Sequence, residues 1–131
     1  MLITDPIGDM LTRIKNAQMA KKKQLAIPHS NLKEAIARKL AENNYIESVE
    51  VEEKKPQSDI IIELRYVDQL PAITGMKRIS KPGRRLYSKT NKIPATLGGY
   101  GMTLVTTSKG VLTDKEARKK SVGGELLCQV W

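Results

Sequence analysis

The chain has 131 residues, 40% of them hydrophobic, and a formal net charge of +9. That is enough chain for one ordinary domain or two small ones. No apolar run approaches the roughly 20 residues of a membrane span, and the acidic start at Asp5 and Asp9 is unlike a secretion signal. A single cysteine, Cys128, excludes an intramolecular disulfide framework and fits a reducing cytosol. The charge is unevenly spread. Residues 1–71 carry 11 Lys+Arg against 11 Asp+Glu, whereas residues 72–131 carry 12 against 3. A field of one sign on one half implies a polyanionic partner, nucleic acid first and an anionic membrane surface second.

In chain order, Asp5-Pro6 opens a helix, the carboxylate as cap and the proline at the first helical position. Ile7, Met10, Leu11 and Ile14 form its apolar face, with Asp9 and Arg13 paired on the other. Arg13, Lys15 and Asn16 read as a solvated face within reach of a phosphate, and Lys21-Lys22-Lys23 as a basic loop. Gln24–Ile27 reads as a strand closed by Pro28. Ser30 or Asn31 caps a second helix with Leu32, Ala35, Ile36 and Leu40 as its buried stripe, and Asn43-Asn44 stops it. Tyr45–Glu52 and Asp59–Tyr66 read as two strands joined by a turn over Lys54–Ser58. This half is an α-β-α-β-β unit over residues 1–67. Val67–Pro71 reads as the boundary segment.

Residues 72–131 read as a second, mainly β domain with a short helix, so the fold class is α+β in two small domains. Ile73–Ile79 reads as a strand, Ser80-Lys81-Pro82-Gly83 as a turn and Arg84–Ser88 as a returning strand bearing Arg85 and Tyr87. Ile93–Leu97 reads as a helical turn and Gly98–Gly101 as a loop. It lacks the spacing of a phosphate-binding loop. Thr103–Thr106 alternates as a half-buried strand should and runs into Thr107, Ser108, Lys109 and Gly110. Gly110 permits a sharp turn there. The strand thus delivers small hydroxyls, one cation and free N–H groups to one tip, suited to base edges, phosphates and 2′-hydroxyls of folded RNA. The competing reading is a plain hairpin whose hydroxyls satisfy their own backbone. Thr113-Asp114-Lys115-Glu116 is a capping box opening a basic helix through Arg118, Lys119 and Lys120. Gly123-Gly124 releases the last strand, Glu125–Trp131. Glu125 is either an exposed edge residue or a carboxylate that accepts hydrogen bonds from the Thr106–Gly110 tip and shapes it. Trp131 reads as an anchor rather than a stacking platform.

No catalytic constellation assembles. The one histidine, His29, and Cys128 are far apart, and no metal-ligand spacing occurs. Ser108-Lys109 is the nearest approach to a nucleophile–base pair, and neighbours in a turn point apart. No enzyme activity, metal or cofactor is expected.

Several stretches carry a family resemblance: Asp5-Pro6-Ile7 with Asp9–Ile14, Ile79–Gly83 with Arg85 and Tyr87, Leu97-Gly98-Gly99 with Gly101, Thr106–Val111 with Thr113-Asp114, Ala117-Arg118, and Gly123-Gly124-Glu125. Together they resemble bacterial ribosomal protein eight of the small subunit, in order and over essentially the whole chain. The resemblance implies a cytoplasmic, ribosome-bound protein that binds the central domain of small-subunit rRNA early in assembly. It implies neighbouring small-subunit proteins, notably protein five, as partners, no membrane, and in some bacteria repression of the protein's own operon mRNA. It places RNA binding on Thr106, Thr107, Ser108, Gly110 and Tyr87, with Glu125 as structural support. Thr106 departs from the family's commoner serine. The basic side chains Lys81, Arg85, Lys109, Arg118 and Lys119 are expected to add affinity, and Gly124 to help Glu125 support the loop. The rival is a generic basic polyanion binder, which predicts equal affinity for any polyanion and near-total loss in high salt.

Overall fold

The computed structural model describes residues 5–94 and 101–131, and in it the chain divides into two compact units. One is Gly8–Ile73; the other is Thr74–Trp131 with the start of the chain up to Ile7. The architecture is α+β, with antiparallel sheets throughout.

In the first unit, helix α1 (Pro6–Met19) buries Met10, Leu11, Ile14 and Ala17, one face at helical spacing. Helix α2 (Asn31–Glu42) is capped by Ser30, whose hydroxyl accepts from the Lys33 N–H. It ends before Asn44, whose φ of 64° is the left-handed stop read from Asn43-Asn44. The buried stripe of α2 differs from expectation. Ile36, Ala37 and Leu40 are buried, while Leu32, in the first turn, is exposed. Strands β1 (Gln24–Pro28), β2 (Ile46–Glu52) and β3 (Asp59–Leu64) form a sheet in the order β1-β3-β2. Ile60, Ile62 and Leu64 alternate inward along the central strand. The boundary segment is itself structured. Strands β4 (Tyr66–Val67) and β5 (Leu70–Pro71) pair as a tight hairpin. Its two turn residues, Asp68 and Gln69, have φ of 53° and 68°, the signature of the turn that matches strand twist. Glycine at the second turn position is what announces such a turn in sequence, and Gln69 stands there instead, so the segment reads only as a boundary.

The second unit is a five-stranded sheet built around β10 (Gly124–Val130). On one side β10 pairs with β8 (Met102–Thr107), which in turn pairs with β9 (Gly110–Thr113). On its other side two short strands lie end to end: β6 (Met76–Arg78) on Cys128–Val130, and β7 (Tyr87–Ser88) on Gly124–Glu125. The expected strands over Ile73–Ile79 and Arg84–Ser88 are thus shorter. Thr74 and Gly75 donate instead to the Trp131 carbonyl, and Arg84 closes a turn back on Lys81. The expected alternation in β8 is also absent: Met102, Thr103, Leu104 and Val105 are all buried. An interior strand is covered on both faces, and periodicity then disappears. Helix α3 (Asp114–Lys119) packs against β8 and β9, and Ala117 joins Ile93, Val105, Leu112 and Leu126 in one core cluster. A single 3₁₀ turn occupies Thr90–Lys92, ahead of the turn expected over Ile93–Leu97. Residues 95–97 of that expectation and 98–100 of the glycine loop lie outside the described residues. Cys128 is fully buried, and burial pushes its thiol up to about 12, so it remains a protonated packing group.

Candidate nucleic-acid interface

The tip is the β8–β9 hairpin. Thr107 pairs with Gly110, leaving Ser108 and Lys109 as a two-residue turn, and Gly110 takes a φ of 97° that an L side chain rarely adopts. The Thr107 hydroxyl donates to the Gly110 carbonyl at 2.9 Å and accepts from the Lys109 N–H at 3.0 Å. Thr107 therefore closes the turn and has little hydroxyl capacity left. Within this one tip the hydroxyls differ in what they do. Thr107 satisfies its own backbone, while Ser108 and Lys109 project into solvent.

The second loop, residues 80–86, bulges out between β6 and β7. Its ends rejoin at β10: the N–H groups of Ile79 and Ser80 donate to the carbonyls of Leu127 and Leu126, and the Leu126 N–H donates to the Leu86 carbonyl. Ser80, fully buried, bridges the loop. Its hydroxyl accepts from the Leu86 N–H at 2.9 Å and donates to the Glu125 carboxylate at 2.7 Å. Arg85 donates to the same carboxylate oxygen at 3.1 Å. With its side chain 15% exposed, Glu125 is not a free edge residue. Its carboxylate partners belong to the 80–86 loop, not to the tip, which corrects the expected direction of its support. Its backbone does pair with Thr106 at the base of the tip. Ser80 itself was missed; the Ser-Lys-Pro-Gly turn drew attention to its backbone, while its hydroxyl's partner lies 45 residues away.

Gly123 and Gly124 allow the two loops to approach. A Cβ at Gly124 would overlap the Thr106 carbonyl oxygen, and one at Gly123 would overlap the Ser88 carbonyl oxygen. Only bare backbone fits between these strands. Across the sheet, Tyr87, Glu125, Thr106 and Val111 then stand in register on one face, because directly opposed antiparallel residues point the same way. Tyr87 is 71% exposed. A phenol on β7 and a solvent-facing serine and lysine on the tip thus stand on one sheet, whose strands the glycine pair lets close, while the carboxylate holds the neighbouring 80–86 loop.

The basic residues divide into two kinds. Arg118 donates to the Asp114 carboxylate at 3.2 Å and to the Ile93 carbonyl at 2.8 Å, so its guanidinium secures α3 rather than standing free. Arg85 is tied to Glu125 but keeps about half its side chain exposed (47%). Lys81, Lys109 and Lys119 are exposed and form no ion pair among the described residues, and Arg84, which the sequence reading left out of the site, is exposed as well. Thr113 and Glu116 make the expected capping box at the start of α3. Among the described residues there is no cluster of three or more His, Cys, Asp or Glu able to hold a metal, and no helix is long and apolar enough to cross a membrane.

A family model described as Ribosomal protein S8 matches residues 5–131. A protein of Lysinibacillus sphaericus named small ribosomal subunit protein uS8 is 53% identical, over 100% of both chains. Proteins of the same name from Rubrobacter xylanophilus and Mycoplasmopsis synoviae are 52% and 50% identical, again over 100% of both chains.

Proposed function

This chain belongs to the ribosomal protein S8 family, and on that premise we propose that it binds small-subunit rRNA through the Thr106–Gly110 tip and the Tyr87 face beside it. The observation that carries the proposal is the closed tip. Thr107 closes the backbone turn, and the Ser108 and Lys109 side chains stand out into solvent from it. Irregular folded RNA offers base edges, 2′-hydroxyls and phosphates to such a surface, and it is read by shape and polar contact rather than by groove. Phosphates give affinity, supplied by Lys81, Lys109 and Lys119 with the exposed part of Arg85. The tip hydroxyl and Tyr87 give orientation.

The resemblance extends this reading to the central domain of the small-subunit rRNA. It adds protein five of the same subunit as a neighbour, and repression of the operon mRNA where that message copies the rRNA site. The protein then acts ribosome-bound in the cytoplasm, as a structural component without catalytic turnover. The test is competition between central-domain rRNA fragments and bulk tRNA at several salt concentrations. Retention of the rRNA fragment against excess tRNA supports the reading. Equal displacement by both, with complete loss at high salt, would replace it with a generic polyanion binder.

A further inference from the structure

A surface unrelated to the tip lies within the Gly8–Ile73 unit. The β4–β5 hairpin presents Val67 and Leu70 directly opposite each other, 50% and 69% exposed. The hairpin is anchored at its base: the Tyr66 hydroxyl donates to the Lys22 carbonyl at 2.6 Å, and the Ala72 N–H donates to the Arg65 carbonyl. Tyr66, the turn residue Gln69 and Lys21 together line a cavity of about 300 Å³. Beside it runs Lys21-Lys22-Lys23, all exposed and none in an ion pair among the described residues. Asp68 and Gln69 take the positive φ their two-residue turn requires, and Lys21 the positive φ of the turn that ends α1, so local backbone geometry sets the shape on both sides of the cavity.

We propose that this hairpin and the adjoining lysine loop form a docking surface for a protein segment carrying an aliphatic or aromatic anchor flanked by carboxylates. The exposed groups are aliphatic and held on rigid backbone, so burying them against another side chain gains what burying them against sugar and phosphate would not. The most exposed side chains of the hairpin, Val67 and Leu70, are aliphatic and have no π face on which a base would stack. The three lysines select the partner's charge and steer its approach.

The experiment places a photo-crosslinking side chain at position 70 of the full chain, and separately at position 108, in assembled small subunits. The crosslinked products are split by nuclease and protease sensitivity, and the captured segment is sequenced by mass spectrometry. The proposal expects position 70 to capture a protein segment with an apolar residue flanked by Asp or Glu, while position 108 captures RNA. A Lys21→Glu, Lys22→Glu background should then lower the position-70 yield about fivefold, two exposed charge pairs being reversed, and leave position 108 unchanged. Capture of RNA at position 70, of a segment without that chemistry, or of nothing while position 108 still captures RNA would each overturn it. So would a yield indifferent to the lysine reversal. Failure at position 108 instead counts against the rRNA-binding reading and leaves the position-70 result to be judged on its own product.

Discussion

The two loops of the candidate interface are closed in opposite ways. The tip closes itself: Thr107 bonds Gly110 and Lys109, all within three residues. The 80–86 loop is closed from a distance, by a Glu125 carboxylate that reaches Ser80 and Arg85 from 45 and 40 residues away. A self-closed loop fails locally when mutated. A loop closed at a distance fails together with the strand that supplies its support. The first should therefore separate recognition from stability, and the second should couple them.

The largest expected effect tests that coupling at its centre. Gly124→Ala puts a methyl into the Thr106 carbonyl, where no rotamer relieves the overlap. We expect a loss of about 3 kcal/mol in denaturant unfolding, accompanied by loss of RNA affinity. Full stability in that variant would mean that β10 and β8 can part without consequence, and the coupling would be broken. Glu125→Gln comes next. It weakens the acceptor shared by Ser80 and Arg85 and removes the ion pair, at about 1–2 kcal/mol, because the buried Ser80 hydroxyl loses a charged partner. Thermal unfolding by circular dichroism should show the midpoint fall by several degrees, while the Ser108–Lys109 turn keeps its own amide shifts in NMR spectra. Disorder of the tip with residues 80–86 unperturbed would reverse the assignment.

Ser108→Ala and Lys119→Ala sharpen the other side of the comparison, where stability should not change. Ser108→Ala should cost on the order of 1–3 kcal/mol on cognate RNA, little on unrelated RNA, and leave the salt dependence as it was. Lys119→Ala should weaken binding to both RNAs and flatten the slope of log affinity against log salt by about one unit. A salt titration of both variants on two RNAs reads all four outcomes. The smallest effect lies in the first unit, which contains neither loop. The hydrogen bonds from His29 and then Arg38 hold the Glu34 carboxyl below its ordinary value of 4.5. Its stabilising contribution is present above that value and fades as pH falls through the lowered one. Glu34→Gln should flatten this acid limb slightly in equilibrium unfolding below about pH 4.5, with RNA binding at neutral pH unchanged.

How legible each part was in sequence follows the same division between local and distant. The Asn31–Glu42 helix with its Ser30 cap, the capping box at Thr113, the strand at Asp59–Leu64 and the hydroxyl tip all rest on neighbours within a few residues. Sequence patterns record such relations directly. The β4–β5 hairpin escaped because Asp68 and Gln69 adopt positive φ without glycine. Arg118 looked like a free phosphate ligand because only folding brings the Ile93 carbonyl to it. Glu125 stands out in an apolar strand, yet sequence does not choose its partners, since several hydroxyls are equally plausible until the 80–86 loop rejoins β10 and brings Ser80 and Arg85 to it.

The Thr107 hydroxyl also bears on the time course of binding. A loop that must find its shape after encounter adds a gate, and many encounters dissociate before that gate closes. Here the turn is already shut by two hydrogen bonds of its own, so each encounter presents the finished shape. Association is then governed by diffusion and by the pull of the basic half on the polyanion. On the proposed function, discrimination between right and wrong RNA then lies in how long each complex lasts, and the protein would sample many sites along a large RNA and dwell on the one that fits.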